Sequence, residues 1–177
     1  IMSSELRVDK IIPTGGLGTD GTVGTRIIQY GGGVIQVVSM DLISTTATTS
    51  TSYVDASSFF QEITPKFSTS KILVIMSCRV NSGSGSNVNT RSSLRISRGS
   101  TPIANHFVGH FIGDSGASDR NNYESVCMVN LDNPATTSAT TYKVEFASDN
   151  SACTTSISGG AGDGAHRSSL TLMEISA

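Results

Sequence analysis

At 177 residues the chain is long enough for one domain with a sizeable core and a short arm besides. It carries 29 Ser and 20 Thr beside 18 Gly, with 15% charged residues, no Trp and a formal net charge of −2. No Lys/Arg cluster is present to make the several phosphate contacts of nucleic-acid binding, and no apolar run approaches the ~20 residues of a membrane-spanning helix. Neither nucleic acid nor membrane insertion is therefore expected. Met2-Ser-Ser-Glu5 reads as a translation start without a secretory signal.

Residues 1–33 differ in texture from the rest. Glu5-Leu-Arg-Val-Asp-Lys-Ile-Ile-Pro13 is one short strand-like segment stopped by proline. A glycine-punctuated stretch follows, then Arg26-Ile-Ile-Gln-Tyr30 and the triple glycine 31–33. This segment is too poor in apolar residues to bury itself. It reads as an attachment arm and Gly-rich linker, with Leu6, Val8, Ile11 and Ile12 as its candidate attachment residues.

From residue 34 onward strand candidates come in series. They are 34–40, 58–64, 71–80, 90–98, 102–112, 123–131, 140–147 and 169–175, with a weaker run at 153–157. Lys71 to Val80 is apolar on both faces and should be central. In 90–98, Leu94 and Ile96 face one way, with Arg91, Arg95 and Ser97 on the other. Turn-rich stretches separate the runs: 44–52, 81–87, 113–119, 132–134 and 159–164. No window holds an apolar stripe at helical spacing. Eight or nine short strands with these breaks predict an all-β, antiparallel sandwich over 34–177, of jelly-roll type. Phe59, Phe107, Val108 and Phe111 fit either a subunit interface or the core.

Cys78, Cys127 and Cys153 are odd in number and widely spaced, so they make no disulfide framework. Cys78 and Cys127 sit in apolar runs and read as small buried hydrophobes, with a bridge between them left open. Several motifs match by letter only. Gly16-Leu-Gly18-Thr-Asp-Gly21 spells a dinucleotide fingerprint, yet no helix follows to hold a pyrophosphate. Gly15 to Asp20 begins a calcium nonapeptide in a single copy, where stacked copies are needed. Gly113-Asp-Ser-Gly116 resembles a protease nucleophile loop, but His106 and His110 stand too close in sequence for a triad. On a strand those two histidines are roughly 13 Å apart, too far for one chain to clamp one ion between them. Asp114 with Asp119 has no sign of the raised acid that glycoside hydrolysis requires. No enzyme, cofactor or metal is expected.

Polar tips between strands are the places where binding residues concentrate on a rigid scaffold. The candidates are Asn87, Asn89 and Arg91 in one loop; Asp114, Asp119, Arg120 and Asn122 in a second; Asp163, His166 and Arg167 in a third.

Val34-Ile-Gln-Val-Val-Ser-Met40, Thr51-Ser-Tyr-Val-Asp55, Ser70-Lys-Ile-Leu-Val74, Leu94-Arg-Ile-Ser-Arg-Gly-Ser100, the stretch from Asn133 to Tyr142, and Leu170-Thr-Leu-Met-Glu-Ile175 carry a resemblance. Together they resemble a β-rich module in tail-fibre or structural proteins of tailed phages of marine bacteria and cyanobacteria. The arm is similar to the start of many phage fibre proteins. The resemblance implies a homotrimeric knob, similar to jelly rolls of the tumour-necrosis-factor type. It implies a virion protein made in the host bacterial cytoplasm, joined to other virion proteins by its arm and touching a host surface glycan or protein. It brings no catalytic residue. A capsid decoration or cement subunit without a receptor role is the alternative.

Overall fold

A computed structural model of the chain describes residues 33–84, 90–110, 120–159 and 167–176. These belong to one unit of the chain, which begins at Gly31. Leu6, Val8, Ile11 and Ile12, and the arm that holds them, lie outside the described residues.

The described residues form ten strands and no helix. They are β1 (Val34–Leu42), β2 (Thr46–Thr48), β3 (Val54–Ile63), β4 (Lys71–Ser84), β5 (Thr90–Arg98), β6 (Thr101–His110), β7 (Arg120–Asp132), β8 (Thr140–Ser148), β9 (Cys153–Ile157) and β10 (Ser168–Ile175). Every strand pairing is antiparallel. The all-β antiparallel sandwich expected from the sequence is what the chain forms. One sheet has six strands. β7 lies along one edge of β4, and the other edge of β4 is shared by β10 and β9, with β1 beyond β10 and β2 beyond β9. The other sheet runs β3-β8-β5-β6.

β4 organises the first sheet. Ile72, Val74, Met76, Cys78 and Val80 point inward and are buried, alternating with Leu73, Ile75, Ser77 and Arg79 on the outer side. Opposite them the second sheet supplies Phe59, Ile63, Leu94, Ile96, Val108, Tyr142, Val144 and Phe146. Where β10 gives way to β9 along β4, Arg79 bridges the join. Its carbonyl accepts from Ser158 N–H at 2.9 Å, and the Ser168 hydroxyl donates to the Ser158 carbonyl at 2.5 Å. Gly159 follows at once, packed so closely that a Cβ there would lie 2.5 Å from the Ser44 carbonyl oxygen.

The two ends of the sandwich differ. At the end where Gly33 leads into β1, polar clamps tie the layers together. Arg98 on β5 donates to both Asp132 oxygens at 2.9 and 2.8 Å, and the Tyr142 hydroxyl donates to Asp132 at 2.7 Å. Burial first, then that hydrogen bond, pushes the Tyr142 phenol up from its ordinary pKa. Tyr142→Phe should cost about 2 kcal/mol in urea denaturation, the worth of one hydrogen bond to a buried charged group. At the same end Glu174, fully buried on β10, accepts from Gln36 Nε2 at 2.7 Å and from the backbone N–H of Lys66 at 2.7 Å and Phe67 at 3.3 Å. Burial pushes the Glu174 carboxyl up, but the hydrogen bonds outweigh it and hold the group below the usual carboxylate range.

At the far end the interior turns hydrophilic. Ser82 and Ser92 share a hydroxyl hydrogen bond, Ser92 meets Thr155 at 2.7 Å, and all three are buried. The abundant Ser and Thr are thus part of the inside as well as of the turns. A buried hydroxyl chain is tolerated because each member has a partner.

The cysteines correct one expectation. Cys78 is buried, and burial pushes its thiol up to about 12. Cys127 is exposed on the outer side of β7. Cys78 pairs across the strands with Val126, which points inward, so Cys127 is turned to the opposite face. Both thiols are free.

Candidate functional site

The strand ends that flank two of the three proposed loops lie at one end of the sandwich. β4 and β7 are paired as far as Ser84 and Arg120, and β5 and β6 as far as Thr90 and His110. The segments 85–89 and 111–119 therefore both leave the same end of the sandwich. The β8–β9 connection joins them there, since Ser92 pairs with Ser148 and Ser84 with Cys153. So does the segment before β3, where the Ser50 carbonyl accepts from Ser148 N–H at 2.8 Å. Gly33 sits at the other end, its carbonyl bonded to Ser176 N–H at 2.9 Å. The third loop departs elsewhere. Ile157 pairs with Val80 and Ser169 with Ser77, so it springs from the side of the sheet midway along β4.

Asn87, Asn89, Asp114, Asp119, Asp163 and His166 lie outside the described residues. Arg120 opens β7 at the loop end. Arg91, near the start of β5, has its guanidinium 3.6 Å from Asp149, with both side chains about half exposed. The two segments are also joined by the backbone, Asp149 N–H to the Arg91 carbonyl at 3.0 Å. Asn122 is half-buried and donates to Glu124 at 2.8 Å. Arg167 lies apart from these, exposed, 3.5 Å from Asp41.

Two features of the loop end were not anticipated. Arg79 stacks over the Tyr123 ring at 4.2 Å, and Asn81 donates to Asn121 at 3.2 Å. Both pairs lie on the outer side of the six-stranded sheet, formed by diagonal neighbours two residues apart in register on β4 and β7. Pairing register creates them, and register is not visible in one strand alone. The site offers guanidinium, amide and hydroxyl groups, with one aromatic face. Such groups recognise polar ligands by hydrogen bonding and stacking. No cluster of three metal-ligating side chains exists among the described residues.

No family model and no curated protein matches the sequence. Among solved structures, the chain is similar to the VP2 subviral particle of infectious bursal disease virus, at 13% identity and a TM-score of 0.36. That match covers 80% of this chain and 37% of the viral one. A structure of the Gx strain of the same virus is similar at 11% identity and a TM-score of 0.34, over 81% of this chain and 38% of the other. The chain thus spans less than two fifths of the neighbours it matches.

The outer side of the six-stranded sheet has a second, apolar character nearer the Gly33 end. One row across four strands reads Val37, Met173, Leu73, Leu131, and the next reads Ser39, Thr171, Ile75, Val129. Val37, Val129 and Leu131 are each more than half exposed. Phe59 and Val108, by contrast, are fully in the core, which decides between the two readings of those residues. Phe107 is exposed on the outer side of the four-stranded sheet, and Phe111 lies outside the described residues.

Proposed function

We propose that this chain is a structural protein of a tailed-phage virion, a trimeric tail-fibre-like tip that binds a host surface glycan or protein and performs no catalysis. The arm over residues 1–33 joins it to other virion proteins. The observation that carries this reading is the polarity of the domain. The chain runs into β1 at one end, and the loops 85–89 and 111–119 leave from the opposite end. A domain that is held at one end and touches at the other needs that arrangement.

The strand order supports the jelly-roll form of the knob. Leaving aside the short strands β2 and β9, one sheet reads β1-β10-β4-β7 and the other β3-β8-β5-β6. In the order of the eight remaining strands this is 1-8-3-6 facing 2-7-4-5, the result of winding two Greek keys around each other. The guanidinium, amide and hydroxyl groups of the loop end suit recognition of hydroxyl-rich or amide-bearing surfaces.

The test has two arms. Fluorescently labelled full-length chain should bind host cells saturably, with unlabelled chain competing, and Arg91→Glu should weaken that binding about tenfold, the loss of about 1.4 kcal/mol. Electron microscopy of the intact particle should place the protein at the end of an appendage. Density only over capsid lattice junctions, with no binding to cells, would replace this reading by the decoration or cement role.

A further inference from the structure

We infer that the outer face of the six-stranded sheet is the surface by which copies of this chain pack on one another. The inference rests on the trimeric reading above and gives it a location. Six side chains form the patch: Val37, Leu73, Ile75, Val129, Leu131 and Met173. They come from β1, β10, β4 and β7, so the patch crosses the sheet from edge to edge. β4 and β7 are apolar on both faces. In a two-layer sandwich only one face of a sheet can enter the core, so the second apolar face is left over. No other described element lies over it, and Val129 on the edge strand β7 is 61% exposed.

The chemistry of the patch favours a second copy as its occupant. None of the six residues is charged, and the next positions are hydroxyls, with Ser39 and Thr171 already bonded to each other at 2.8 Å. Charged groups stand only beyond the patch: Lys71 at one end, Arg79 at the other, and Asp41 at the side beside Arg167. A charged foreign partner finds no counter-charge here. Copies of this chain meet without like-charge repulsion. Two rows across four strands about 4.8 Å apart, about four residues of about 3.4 Å rise, give an apolar patch of about 260 Å², and with the polar rows on either side the whole face comes to about 500 Å². Two such faces together reach about 1,000 Å², the area at which specific interfaces begin. Orientation agrees as well. The strands of this face run from the Gly33 end to the loop end, so copies packed in parallel across it place the same end of each subunit on one side of the assembly.

Cys127 stands in the row after Val129 on the same face, and it is exposed in the single chain. It reports on whether the face is covered. The full chain should sediment as a trimer, and its Cys127 thiol should react with a disulfide reagent at least 100-fold more slowly than in the double variant Val129→Lys with Leu131→Lys. That variant should sediment as a monomer with an unchanged circular-dichroism spectrum, because both side chains point to solvent in the subunit. Phe107→Lys, an equally exposed change on the other sheet, should leave the trimer intact. If the double variant does not fold, slow Cys127 labelling in a wild-type trimer carries the proposal and fast labelling refutes it. A trimer that survives both lysines refutes it too. So does a monomeric wild type, or a monomer with Cys127 protected, which would put residues 1–32 of the same chain over the face. Loss of host-cell binding with the trimer intact would end the tip reading while leaving this surface assigned.

Discussion

Phe59→Ala should lower the unfolding free energy by about 4 kcal/mol, within the range for deleting a buried phenylalanine ring. Phe59 is fully buried, whereas its neighbour Phe60 is 54% exposed. Two adjacent strand residues point to opposite faces, so one of the pair had to be outside. A break in register decides which. On β3 the pairing with β8 passes from Asp55–Glu145 directly to Phe60–Lys143, leaving four residues of β3 opposite Val144 alone. Ser58 within that bulge has a φ of 61°, a left-handed conformation uncommon outside glycine. The bulge turns Ala56 and Phe59 inward, and beside it lies a hollow of about 500 Å³ lined by Asp55, Ser57, Ser58, Phe60, Thr141 and Lys143. Without the Phe59 ring the bulge loses its hold on the core, and collapse toward the hollow recovers only part of the cost. Urea denaturation of both variants makes the comparison, because Phe60→Ala should change stability by less than about 0.5 kcal/mol. An interface role for Phe59 predicts the opposite: a stable subunit with a weakened assembly.

Much of this architecture was readable from alternation and punctuation. Nine of the strands coincide with runs seen in the sequence, since β-branched runs between Ser, Gly, Asn and Pro breaks mark strands by their local chemistry. The misses share a cause. β4 continues through Asn81-Ser-Gly-Ser84, a stretch with turn composition, because β7 pairs with it on one side and β9 on the other. β2 lies in a Ser/Thr-rich connection and exists because β9 offers it an edge. In both cases a tertiary partner overrides local preference. The exposure of Cys127 was hidden for a related reason. Val126, Cys127, Met128 and Val129 are all apolar, and a run apolar on both sides does not say which side is inside. The proposed contact residues fared according to the same rule. Strand pairings put Arg91, Arg120 and Asn122 toward the same end of the sandwich, and Arg167 stands apart because β10 begins midway along β4. Sheet order, on which all of this depends, is a property of which strand meets which, and single-strand patterns do not contain it.

Lowering the pH from 5 to 2 should remove about 3 kcal/mol of stability through one residue, Glu145. Glu145 is on the outer side of β8, yet it is 7% exposed. Arg95 grips it with two hydrogen bonds, Nε at 2.7 Å and Nη2 at 3.0 Å, and the Ser97 hydroxyl donates to it as well. Lys143 lies 3.6 Å away, held also by Asp55 at 2.6 Å, and Arg95 is stacked on the Tyr53 ring at 4.1 Å. The Arg95 hydrogen bonds lead the effects on Glu145. They outweigh burial, and with Ser97 and Lys143 they bring the carboxyl down to about 2 from an ordinary value of 4.5. A carboxyl with a depressed folded pKa binds its proton more readily in the unfolded chain. Its contribution is therefore complete above the unfolded value, near 4.5, and is lost as pH falls toward 2. Glu145→Gln should lower stability at pH 7 and flatten its acid dependence by about the same amount, leaving the smaller slope that Glu174 contributes. Urea denaturation of wild type and variant at closely spaced pH values measures the difference. Curves that stay parallel from pH 5 to 2 would show that the Arg95–Glu145 pair is no tighter than an exposed ion pair, whose worth is below about 1 kcal/mol. A pair that is nearly dry and held by two strands and a serine has reason to exceed that, because water cannot replace Arg95 once the carboxylate is sealed beneath it.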